Sequence, residues 1–163
     1  MLSDDMHALQ ATTFELDGGA ANAVGEITAL EWPPVQAPCA GEAIDDVVLG
    51  RLQDDLGSPR ALLQIVRVFL SELDGRAAMI DNTASRAEFA LLARGARHLR
   101  PSAAMLGARV LADVLTALED AAEAGDALMC ARLTRRFATQ VARTSTALEL
   151  IVADLDAAVP VEA

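Results

Sequence analysis

The chain has no lysine and no tyrosine, and among 163 residues it has only two cysteines, two histidines and one tryptophan. Aromatic residues make up 3%. Sheet surfaces favour β-branched and aromatic side chains. A chain this poor in aromatics and dominated by Ala, Leu, Val and Arg favours helix instead. Cys39 and Cys130 stand alone, without metal-ligand spacing, and read as reduced, structural or incidental thiols of a cytosolic protein. With so few histidines, neither a zinc site nor a histidine-based triad is easily assembled. Asp4 and His7 are three apart, but no further ligand stands near them. No glycine-rich phosphate loop and no Glu-x-x-His pair occurs, so no metal or cofactor is expected. No apolar run reaches the roughly 18 residues of a membrane span, and no basic, then apolar leader opens the chain.

What is present is apolar and acidic. Hydrophobic residues make up 53% of the chain, which excludes disorder throughout and suffices for one domain with a core. The net charge is -11, and all 13 basic residues are arginine. Such a chain repels phosphate backbones and anionic membranes, so neither nucleic acid nor membrane is an expected partner. The charge is uneven. Residues 1–43 hold seven acids and no Lys or Arg. Residues 86–109 hold Arg86, Arg94, Arg97, Arg100 and Arg109 against Glu88 alone, a local balance of five minus one, or +4. This cluster reads as a docking surface for an acidic partner, or as a solvated helix face.

Residues 1–43 read as a disordered acidic tail with Gly18-Gly19, Pro33-Pro34, Pro38 and Gly41. Residues 44–157 form the expected domain, and 158–163 a C-terminal tail. Ile44, Val48, Leu52 and Leu56 repeat every four residues and predict a short first helix ending at Gly57. Ser58-Pro59 opens a second helix, with Leu62, Val66, Phe69, Leu73 and Ile80 inward, to about Asn82. Ser85-Arg86-Ala87-Glu88 matches a capping box for the third, whose inner stripe is Leu92, Leu99, Ala103 and Leu106. The fourth carries Leu111, Leu115, Leu118 and Ala122 and stops at Gly125. Asp126 caps the fifth, with Leu133, Phe137, Val141, Thr144, Leu148, Ile151 and Leu155 inward. The expected fold is all-α: an antiparallel up-down four-helix bundle with a short additional N-terminal helix.

The segment Ala96-Arg97-His98-Leu99-Arg100-Pro101-Ser102-Ala103-Ala104-Met105-Leu106-Gly107-Ala108 resembles the signature of the histidine phosphotransfer (HPt) family, whose members shuttle phosphoryl groups between receiver domains in bacterial phosphorelays. Registered on Leu106-Gly107-Ala108, it agrees at Ala96, Leu99, Ser102, Leu106, Gly107 and Ala108, with Arg100 in place of a lysine. Ile44-Asp45, Asp55-Leu56-Gly57, Phe69-Leu70, Leu118-Glu119 and Gly125-Asp126 agree in the flanks, so the resemblance spans about residues 44–155.

In that register Arg97 stands at the phosphoacceptor position, and Pro101 replaces a glycine. Registering on His98 instead forfeits Leu99, Arg100, Ser102, Leu106 and Gly107 together. At about 100° per helical residue, Arg97 points outward when Leu92, Leu99 and Leu106 point inward, and His98 falls on the flank beside Arg94 and Met105. Pro101 removes the N–H that would bond the Arg97 carbonyl, and a kink or break is expected there. A guanidinium has no free lone pair and stays charged, whereas accepting phosphate needs a neutral imidazole nitrogen.

The resemblance therefore implies a non-enzymatic, cytoplasmic module that docks a response-regulator receiver domain or a hybrid histidine kinase at its acidic pocket without accepting phosphate. Arg94, Arg97, His98, Arg100, Pro101, Ser102, Ala104 and Met105 would meet the partner, with Gly107 as a structural joint. Two alternatives stay open: a working phosphocarrier that uses His98, and a structural or oligomerising bundle, homodimers included.

Overall fold

The computed structural model describes residues 43–158. Nearly all of the expected acidic tail, the Asp4 and His7 pair, Cys39 and the last five residues lie outside the described residues. Five helices follow in order: α1 Asp46–Leu56, α2 Pro59–Ser85, α3 Phe89–Met105, α4 Arg109–Glu123 and α5 Ala127–Ala158.

Each helix begins and ends for a local reason. Asp45 caps α1, its carboxylate accepting from the N–H groups of Val47 and Val48 at 3.0 and 3.2 Å. Gly57, at φ 62°, turns the chain out of α1. Ser58 caps α2 through backbone geometry alone, with Pro59 in the first turn. Asp126 accepts from the Met129 N–H at 2.9 Å and caps α5.

The three connections between α2 and α5 share one device. A residue in the left-handed region follows the helix, and two N–H groups reach back to carbonyls of the last turn. At α3–α4 the Gly107 N–H bonds the Ala104 carbonyl (3.1 Å) and the Ala108 N–H bonds that of Ala103 (2.9 Å). At α4–α5 Gly125 and Asp126 bond Ala122 and Ala121 in the same way, at 3.1 and 3.0 Å.

The α2–α3 turn corrects the expectation of a capping box. Helix α2 runs on to Ser85, beyond Asn82, and the Ser85 hydroxyl donates back to the Asn82 carbonyl at 2.8 Å instead of capping α3. Ala87 takes the left-handed position at φ 54°, and the N–H groups of Ala87 and Glu88 bond the carbonyls of Ala84 and Thr83 at 3.1 and 2.9 Å. A methyl group there costs roughly 1 kcal/mol that glycine avoids. Ala87→Gly should therefore stabilise the bundle by about that amount, read as a higher urea midpoint at unchanged slope.

Helices α2, α3, α4 and α5 close a ring in which each packs on two neighbours, giving an antiparallel up-down four-helix bundle. Helix α1 lies against α2 and α3. The side chains expected to point inward from α2, α3 and α4 are buried, as are Leu133, Phe137, Val141, Thr144 and Leu148 of α5. Ile151 and Leu155 are half-buried at its end. At α1 the four-residue repeat holds only in part: Ile44 is buried, Val48, Leu52 and Leu56 are half-buried, and Leu49, outside the repeat, is buried instead. Cys130 is a core residue, and burial, reinforced by the charge of Asp126, pushes its thiol pKa up, which keeps it unreactive. No helix among the described residues is long and apolar enough to cross a membrane.

Candidate functional site

Helix α3 buries Leu92, Ala93, Gly95, Ala96, Leu99 and Ala103, leaves Arg100 and Ser102 half-buried, and exposes Arg94, Arg97 and His98. Of the kink or break expected at Pro101, the break does not occur: the helix runs continuously through it. Pro101 is exposed, so its ring lies outside the core. It removes one backbone bond, while burial of Leu99 and Ala103 on either side holds the helix.

The outer surface of α3 divides into two flanks. On the side of α4, Arg97 Nε donates to Glu119 Oε1 at 2.6 Å and Arg97 Nη2 donates to Glu123 Oε1. Arg100 Nη1 donates to the other Glu119 oxygen at 3.0 Å. Glu119, with a side chain 10% exposed, thus bridges two guanidinium groups, and both its oxygens are used. Arg97 and Glu123 are both 55% exposed. Hydrogen bonding to Glu119 first, then the charges of Glu119 and Glu123, raises the Arg97 pKa above its already high ordinary value. Arg97 is a permanent cation.

On the side of α2, Gly95 lets α3 approach closely: a Cβ there would lie 3.3 Å from Met79 Cε and Ile80 Cγ1. Leu91, His98 and Met105, seven residues apart, share this flank, and all three are exposed. His98 has no hydrogen bond or ion pair among the described residues. Ser102 is half-buried and Ala104 exposed. Arg97 and His98, adjacent in sequence, therefore face different neighbours.

The arginine cluster of residues 86–109 is largely neutralised in three dimensions. Arg86 pairs with Glu88 at 3.1 Å, and Arg109 with Asp45 at 3.3 Å. Arg97 and Arg100 pair with α4. Arg94, exposed on α3, is the only one of the five without an ion pair among the described residues. Glu119 and Glu123 are the site residues that the linear reading missed, because they lie 22 and 26 positions from Arg97. Their spacing of four on a helix next to α3 was the available signal. A groove of about 690 Å³ lies beside this network, with Phe89, Ala93, Arg94, Arg97, Ala122 and Glu123 in its walls.

Gly107 closes α3 and packs on the start of α1. Its carbonyl accepts from the Asp45 N–H at 2.9 Å. No group of three or more His, Cys, Asp or Glu side chains able to hold a metal ion occurs among the described residues.

No protein-family model matches the chain, and no curated protein does. Among solved structures, the histidine-containing phosphotransfer protein B (HptB) from Pseudomonas aeruginosa PAO1 is similar, at a TM-score of 0.65 and 17% identity, over 71% of this chain and 98% of that one. The chain has the fold of that phosphotransfer protein.

Proposed function

We propose that this chain is a phosphorelay module that docks receiver domains, or a hybrid histidine kinase, without accepting phosphate itself. The observation that carries this reading is Arg97. It occupies the outward position of the motif on α3, where the resemblance puts the phosphoacceptor, and it is a guanidinium held by Glu119 and Glu123. It has no lone pair for attack on an aspartyl phosphate. The helical fold it shares with a phosphotransfer protein supports the docking half of the reading. Such a module acts as an adaptor or competitor in the cytoplasm and is not an enzyme.

A second reading rests on His98, which is exposed and has no hydrogen bond among the described residues, so its imidazole is open to a partner. Phosphotransfer from radiolabelled receivers of the same organism separates the two. The adaptor reading expects no label on the wild-type chain, co-purification of a receiver, and a gain of acid-labile label in Arg97→His combined with Pro101→Gly. Label on the wild type that disappears in His98→Ala and survives Arg97→Ala would make the chain a carrier. A well-folded Arg97→His, Pro101→Gly variant that stays unlabelled would count against an intact phosphotransfer shell.

A further inference from the structure

We infer that the groove between α3 and α4 receives a carboxylate-bearing surface of the partner protein, which Arg94 and Arg97 hold after it displaces Glu123 from Arg97. This rests on the docking reading above and assigns its contact.

The two carboxylates on Arg97 are not equivalent. Glu119 is nearly buried, and Arg100 holds its second oxygen, so removing it would strand two cations. Glu123 is 55% exposed, and among the described residues its one ion pair is with Arg97. It can swing into water at little loss, since exposed pairs are weak. Glu123 would leave Arg97 Nη2, and Arg97 lines the groove together with Arg94. Arg94 has no ion pair among the described residues. Phe89, Ala93 and Ala122 make the rest of that wall apolar and leave room for an incoming side chain. Exchange of one carboxylate for another on the same guanidinium keeps the charge-assisted bonds and adds those of Arg94. Glu123 thus acts as an internal competitor that weakens binding to any acidic surface.

The test is calorimetric titration of the full chain with purified receiver domains of the same organism. Wild type is compared with Glu123→Gln, Arg94→Gln and Glu149→Gln, the last removing an exposed acid from α5. Circular dichroism confirms that each variant is folded. Glu123→Gln should bind about two- to fivefold more tightly and Arg94→Gln about two- to fivefold more weakly, both differences shrinking in high salt. Glu149→Gln should match the wild type. If Glu123→Gln binds no better than Glu149→Gln while the wild type binds a receiver, the exchange is overturned and the docking reading stands. If none of the four proteins binds any receiver, both fall.

Discussion

Replacing Gly107 with alanine should destabilise the bundle by about 2–5 kcal/mol. Two independent effects add. The backbone is left-handed, at φ 79°, where a side chain costs roughly 1–2 kcal/mol. The new Cβ would also lie 2.8 Å from the carbonyl oxygen and 3.1 Å from the nitrogen of Asp45. Those are backbone atoms at the start of α1, so relief requires moving the helix, and such overpacking costs roughly 1–3 kcal/mol. Movement there also strains the bond from the Asp45 N–H to the Gly107 carbonyl and the pair between Asp45 and Arg109. Gly50 and Gly75 are the controls: an added Cβ meets nothing within 4 Å at either helical site, so alanine there should stabilise by roughly 0.5–1 kcal/mol. Chemical denaturation checks the contrast. Equal effects at all three positions would show that Gly107 is not a packed joint.

Phe137→Ala should be as severe, at about 3–5 kcal/mol, through a cavity instead of strain. The ring is 1% exposed in the centre of the core. The chain has four phenylalanines in all, and much of the core lining is Leu, Val and Ala. A close-packed core relaxes only in part around a lost ring, so collapse into the cavity is limited. For a helical domain stable by roughly 5–15 kcal/mol, this is a large fraction of the total. Thermal melting should shift down by roughly 10–20 °C, and Phe137→Leu should recover most of the loss by refilling volume. A shift of only a few degrees in Phe137→Ala would mean that the core repacks freely.

The helices of the bundle were legible because burial follows period. Leu62, Val66, Phe69, Leu73 and Ile80, or Leu111, Leu115 and Leu118, repeat at helical spacing and are all buried. Gly107 and Gly125 mark turns because only a residue without a Cβ enters the left-handed region freely. The α2–α3 turn was misread for the same reason. It uses Ala87, which gives no such signal, and Ser-x-x-Glu happened to match a capping box while Ser85 remained helical. The break at Pro101 does not occur because the local rule counts one lost bond and not the burial that holds α3 on both sides. The +4 window overstates the unpaired charge because it sums along the chain, whereas Glu119 and Glu123 reach Arg97 only across the α3–α4 seam.

The short turns also fix an order of assembly. Three seams of the ring join helices that are consecutive in the chain and separated by only a few residues. Little loop entropy opposes them, and they can form early. The fourth seam, α2 on α5, joins the two ends of the bundle. Its pair of Arg67 with Asp156, at 2.6 Å, spans 89 positions. That seam closes only after the hairpins have brought its two halves together, and it is the one whose opening leaves every hairpin intact. Loop entropy therefore makes the α2–α5 seam the last to close, while the α3–α4 hairpin, with Arg97 and its carboxylates, forms within a single local unit.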